Sequence, residues 1–375
     1  MNQPAFLRDS NPLLLFRYGV LALLLIVCSH LGQAQGTSPV DLTTTAVPFL
    51  RINPDARGGG MGELGIATTP DAGSGLYNLA KTPFATARSG MALNYTPWMR
   101  DIVQGMYLLQ ASGYHRIDSF QAVSASIRYF SLGDVSVSDF SGNHLPTAQP
   151  REYALDLGYS RRLSGSLSLA MALRYIHSHL ASGSVNGTTY QAGNAFAADI
   201  SLFYTNRNED GGGFSGGLAL TNLGSKIGYT SNAGEKNYLP ANLGIGLAYT
   251  FVFNDQNKIM LGVDANKLLV PVSPVDSTSS QKYYSYTIVN SWFKSFNSTA
   301  IGFSGGAEYN YNDQLFLRTG YYWEDKSRGN LHYLTAGIGI RYSVFGLDFS
   351  YLVPSGNGVG RNPLANTYRF GLHIN

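Results

Sequence analysis

From Ser89 to the C-terminus, apolar residues recur at every second position in segments of about 8 to 13 residues, the period of a strand whose two faces meet different surroundings. Tyr153, Leu155, Leu157 and Tyr159 share one face while Ala154, Asp156, Gly158 and Ser160 share the other, and Leu243 to Phe253 repeats the pattern at odd numbers. Each segment is long enough to cross a bilayer when tilted. Fourteen strands are predicted: 89–97, 106–115, 120–132, 151–162, 166–180, 194–205, 214–223, 241–253, 258–267, 300–311, 314–323, 332–342, 346–352 and 367–374.

Charge tests the register, because a one-residue slip would scatter charges over both faces. Arg128, Arg174, Arg318, Arg341 and Arg369, with Asp156, Asp199, Asp264, Glu308 and Asp348, all fall opposite the apolar series. Arg or Lys on the lipid face of a barrel costs about 2–4 kcal/mol at mid-membrane, so this sidedness is what a membrane barrel requires. The ten charges are expected to pair with one another in a polar lumen. A soluble sandwich would instead carry Lys and Glu on its outer face, and these strands have almost none there. Connections after even-numbered strands are short, as at 116–119, 163–165 and 312–313, whereas 133–150, 181–193, 224–240, 268–299 and 353–366 are long. The prediction is an all-β fold, a 14-stranded antiparallel transmembrane β-barrel over 89–375, with long loops at the cell surface and both termini periplasmic. Its last strand ends in Asn375 rather than an aromatic residue.

Composition narrows the class further. Only 13% of the 375 residues are charged, about half the share of a soluble domain. Mean hydropathy is −0.07, and beyond the N-terminus no apolar run approaches the ~20 residues of a membrane helix. Arg8 and Arg17 precede the apolar stretch Tyr18 to Cys28, and Gly32-Gln33-Ala34 supplies small residues for cleavage, so residues 1–34 read as a signal peptide directing the chain to the outer membrane. Without Arg8, Arg17 and Asp9 the chain keeps 24 Lys plus Arg against 22 Asp plus Glu, a net charge of +2. Nothing there suggests nucleic acid. The one cysteine, Cys28, leaves with the signal peptide, so the mature chain needs no disulfide.

Residues 35–88 show no strand period and form an N-terminal periplasmic segment expected to fold into the lumen as a plug, since Val47-Pro48-Phe49-Leu50 and Gly75-Leu76-Tyr77 are too apolar for a solvated tail. Gly58, Gly59, Gly60 and Gly62 are expected to pack closely against the wall. Fourteen strands with such a plug resemble the FadL-type transporters. Gly60-Met61-Gly62-Glu63-Leu64-Gly65 spells a dinucleotide fingerprint, but Pro70 and Gly73 deny it the helix that would receive a pyrophosphate. His177 and His179 share a strand face without a third metal ligand, and neither Ser178 nor Asp139 finds the partners a nucleophile needs. No enzyme activity, metal or cofactor is expected. The informative side chains are loop aromatics: Trp98 and Met99 after the first strand, and Tyr283, Tyr284, Tyr286, Trp292, Phe293 and Phe296 in 268–299. Such density is expected to mark a surface for a partner or cargo.

The segments at 46–68, 93–103, 124–135, 153–164, 194–204, 220–229, 264–274 and 362–370, among them AVPFLRINPDARGGGMGELGIAT, LNYTPWMRDIV and YALDLGYSRRLS, resemble in sequence and order the PorV (LptO) family of the type IX secretion system of Bacteroidetes. The likeness covers nearly all of the mature chain. It departs at Asn78-Leu79-Ala80, where the family tends to Asn-Pro-Ala. The resemblance implies a FadL-like outer-membrane protein that binds the C-terminal signal domains of cargo leaving the SprA (Sov) translocon and delivers them to the PorU sortase attachment complex. The rival reading is a FadL-type outer-membrane transporter of hydrophobic solutes. A lipid A deacylase, hinted at by the name LptO, finds no catalytic set.

Overall fold

A computed structural model describes residues 43–99, 105–135, 147–181, 183–185, 188–230, 236–273, 277–353, 364 and 366–374. The expected signal peptide, residues 35–42, Asp139 and parts of the long loops lie outside these residues. Fourteen antiparallel strands close into one barrel: β1 (Ser89–Pro97), β2 (Met106–Arg116), β3 (Gln121–Leu132), β4 (Arg151–Arg162), β5 (Leu167–His179), β8 (Gly193–Arg207), β9 (Gly213–Gly224), β10 (Asn242–Asn254), β11 (Asn257–Leu268), β12 (Ile301–Tyr311), β13 (Leu315–Glu324), β14 (His332–Tyr342), β15 (Phe345–Val353) and β16 (Tyr368–Ile374). Each pairs with its neighbour in sequence, and β16 closes on β1 from Met91↔Ile374 to Tyr95↔Phe370. Closure leaves no edge strand, so the ladder's backbone N–H and C=O groups find partners where lipid offers none.

Side chains follow the two-residue period. Leu157, Leu173 and Phe196 are about 70% exposed on the outer face, whereas Arg128, Arg174, Asp264, Glu308, Arg318, Asp348 and Arg369 are buried inside. The connections alternate too, with tight turns such as 343–344 at one end and the long loops at the other. Two elements depart from the expected loops. Residues 181–193 contain a small hairpin, β6 (Gly183–Val185) with β7 (Thr188–Tyr190). The supposed loop 268–299 folds into α2 (Ser277–Ser285) and α3 (Ile288–Lys294). Thr287 Oγ1 caps α3 by accepting from Asn290 N at 3.3 Å. Apolar residues at 289, 292, 293 and 296 carried the helical spacing, which the aromatic density overshadowed.

Residues 43–88 occupy the lumen as short helical turns, among them α1 (Ala56–Gly59). Thr43 N donates to Ser327 O at 2.9 Å and Ala46 N to Tyr238 O at 3.0 Å, both in long connections. The described chain therefore begins at the long-loop end and runs down through the lumen to β1. The reason is apolar: Val47, Phe49 and Leu50 join Trp98, Phe130, Ile227, Leu239 and Tyr333 in one buried cluster at that end.

Glycines let this segment touch the wall. Gly62 has φ of +69°, and a Cβ there would lie 2.6 Å from the Tyr321 backbone oxygen, while one on Gly60 would lie 3.1 Å from Gly337 Cα. Cβ atoms on Gly58 and Gly59 would collide with the side chains of Tyr77 and Arg369. Gly62→Val therefore combines a left-handed backbone with overpacking, at a cost of about 2–5 kcal/mol. It should lower the yield of heat-modifiable folded barrel more than Gly60→Val does, as read by the gel shift on boiling; equal yields for Gly62→Val and the unaltered protein would mean that this contact is dispensable.

Candidate functional site

Three ion clusters fill the lumen, and two of them, the first and the third, bind the luminal segment to the wall. In the first, Arg57 of α1 places Nη2 2.8 Å from Glu308 Oε1 and Nη1 2.6 Å from Asp71 Oδ2. Arg318 bridges Glu308 Oε2 at 2.6 Å and Asp348 Oδ1 at 2.7 Å, and Arg341 reaches Asp348 Oδ2 at 2.7 Å. In the second, Arg174 pairs with Asp156 and, at 2.9 Å, with Asp199 Oδ2. Arg128 stands at the margin of this cluster, 4.0 Å from Asp156. In the third, Arg369 donates to Glu63 Oε1 at 2.7 Å, which also accepts from Tyr333 at 2.9 Å. Asp264 departs from the expected pairing: one of its oxygens accepts from the backbone N–H groups of Gly65 at 2.8 Å and Ile66 at 3.0 Å. Arg57, Glu63 and Asp71 were not anticipated, because a segment without a period gives no face on which to place them.

Above these clusters, at the long-loop end, lies a cavity of about 560 Å³, within the range that holds small ligands. Leu50, Trp98, Met106, Phe130 and Leu268 supply apolar wall, while Arg51, Arg128, Arg328 and Arg369 face Glu63 and Glu324. Glu324 Oε2 accepts from Arg328 Nε at 3.2 Å and Arg51 Nη2 at 3.4 Å.

The aromatic residues expected at the surface divide into two groups. Trp98 is buried at 8% exposure and, with the half-buried Met99, lines the cavity. Tyr283 is buried as well, edge-on to Tyr238 at 5.1 Å and to Tyr284 at 5.3 Å. Tyr238 donates to Tyr283 O at 2.8 Å and Tyr286 O at 3.1 Å, and burial, then the neighbouring tyrosines, raises its hydroxyl pKa above the ordinary value. Lys226 stacks over the Tyr238 ring at 4.4 Å and donates to Tyr284 O at 2.7 Å. These residues anchor the loops to one another. Phe293 and Phe296 remain 70% and 59% exposed, and Val289, one turn before Phe293, extends their face; Trp292 is half-buried beside them. Val289 shares the face without being aromatic, so aromatic density alone does not mark it.

The other candidates have structural surroundings. His177 Nδ1 lies 2.8 Å from Asn194 Oδ1 and its ring stacks on Tyr153, while Ser178 Oγ donates to Glu152 Oε1 at 2.6 Å. Among the described residues no group of three potential metal ligands converges.

The fold is shared with solved toluene transporters at low identity. The Ralstonia pickettii toluene transporter TbuX is 13% identical, with a TM-score of 0.53 over 86% of this chain and 97% of that one. The Pseudomonas putida toluene transporter TodX is 12% identical, with a TM-score of 0.51 over 84% and 94%. At that identity the likeness concerns architecture only. No individually curated protein matches the sequence. A family model described as type IX secretion system protein PorV matches residues 35–275, covering strands β1–β11, the luminal segment and most of the cavity wall. The chain thus belongs to the PorV family: it is a closed 14-stranded β-barrel of the outer membrane and a component of the type IX secretion system.

Proposed function

We propose that this protein receives cargo through its C-terminal signal domain at the exit of the SprA (Sov) translocon and carries it to the PorU sortase attachment complex. In this reading residues 1–34 are the export signal, the long loops face the cell exterior, and residues 35–88 act as a plug. The observation that carries it is the apolar face of Val289, Phe293 and Phe296, exposed on a capped helix and the helical turn that follows it at the long-loop end. Loop side chains held out in this way contribute little to barrel stability and suit a partner surface. The filled lumen supports the same reading, since buried pairs such as Arg318 with Glu308 and Asp348 leave a polar interior rather than an apolar conduit.

One observation favours the second reading, a FadL-type transporter of hydrophobic solutes: the cavity has substantial apolar wall. Transport needs a path onward from it. The purified protein in a planar bilayer should show no large, steady conductance, because the ion pairs and luminal segment block the pore; an open-channel trace would favour passage of solutes.

Replacing Trp292, Phe293 and Phe296 together by Ala should leave folded barrel levels unchanged while surface display of cargo falls and unattached or unprocessed cargo accumulates. Immunoblots of surface, periplasmic and medium fractions make the measurement. Normal display would remove this helix from the contact, and a fatty-acid uptake defect in the same strain would support the transporter reading.

A further inference from the structure

The cavity at the long-loop end contains buried polar groups that the fold leaves without partners. Arg128 is 4% exposed, yet its Nε has no hydrogen-bond partner among the described residues. Among the described residues its one hydrogen bond runs from Nη1 to Leu50 O at 3.3 Å. The nearest carboxylate, Asp156, already accepts from Arg174 and, at 2.7 Å, from Ser126 Oγ. An arginine held rigidly in this way and left short of counter-charge is costly unless an anion completes it. The wall as a whole carries four arginines against two glutamates.

The same wall also lacks donors. Among the described residues Ser304 Oγ, Asn242 Oδ1 and Glu324 Oε1 are buried without partners, as is Arg369 Nε on the donor side. A ligand suited to this cavity must present an anion to Arg128 and both donors and acceptors along its length. An alkyl chain with a carboxylate meets the first demand and fails the second, leaving those groups unsatisfied. A toluene-like solute fails both. An extended peptide meets them together, since each residue brings an N–H and a C=O, and its α-carboxylate supplies the anion.

We infer that this cavity captures the free C-terminus of a polypeptide, with the terminal carboxylate on Arg128 and the preceding side chains against Leu50, Trp98 and Phe130. The inference rests on the proposed reading that cargo is gripped by its C-terminal domain, and it assigns the very end of that domain to a site separate from the α3 face. Charge-assisted pairing to guanidinium gives the site its preference for an acid over a neutral end.

The test uses the full-length protein in lipid nanodiscs and the most abundant cargo recovered with it from outer membranes. Two fluorescein-labelled peptides of that cargo's last ten residues, one a free acid and one a C-terminal amide, are titrated alongside its intact C-terminal domain. The free acid should bind at least about tenfold more tightly than the amide, and Arg128→Gln should abolish that preference while leaving amide binding in place. Equal binding of acid and amide to the unaltered protein overturns the inference without recourse to any variant that fails to fold. If the intact domain still binds in that case, the carrier reading survives and only this site fails; if the domain does not bind at all, the carrier reading fails first. Displacement of the acid peptide by oleate, with oleate binding tighter than the peptide, would assign the site to fatty acids instead.

Discussion

A bilayer offers no water to unpaired peptide groups, and the architecture follows from that single fact. Each unsatisfied N–H or C=O in hydrocarbon costs several kcal/mol, so a chain that crosses as strands must close its ladder completely. Here closure is made between β1 and β16, the first and last strands. It fixes the parity of the side chains as well: once the sheet is closed, every residue faces either lipid or lumen. Leu347 and Phe370 can be exposed on the outside only because their neighbours Asp348 and Arg369 turn inward.

Charges placed inside must then be compensated inside. The wall alone does not achieve this. Glu308 lies between Arg318 of the barrel and Arg57 of the luminal segment, and Arg369 finds its carboxylate in Glu63. Removing one member of a buried pair costs about 3–5 kcal/mol, so the segment and the barrel each depend on the other for electrostatic balance. A lumen assembled in this way is suited to remaining closed. The contacts proposed for secretion accordingly lie at the rim, among the long loops, α3 and the cavity wall.

The rim also shows how one type of residue can serve opposite ends. Tyr283 and Trp98 are anchors that hold loops and luminal segment in place, whereas Phe293 and Phe296 lie free on a helical face. Sequence density alone treats all four alike, because exposure depends on whether a partner, such as Tyr238 against Tyr283, packs on the ring.

The sequence by itself determined the barrel. Strand number, approximate strand limits, the inward face of the charges and the alternation of turns and loops all follow from a period of two and the penalty for charge in lipid, both of which act residue by residue. The tertiary structure alone decided how the luminal segment is threaded, from the long-loop end downward, because nothing periodic marks residues 43–88 and their position depends on contacts such as Gly62 with Tyr321 and Arg57 with Glu308. It likewise decided that Asp264 accepts backbone N–H groups and that Arg128 is left under-paired at a cavity wall. Pairing among ten charges on one face depends on distances across the lumen, and these come into being only when strands far apart in sequence are brought together by closure.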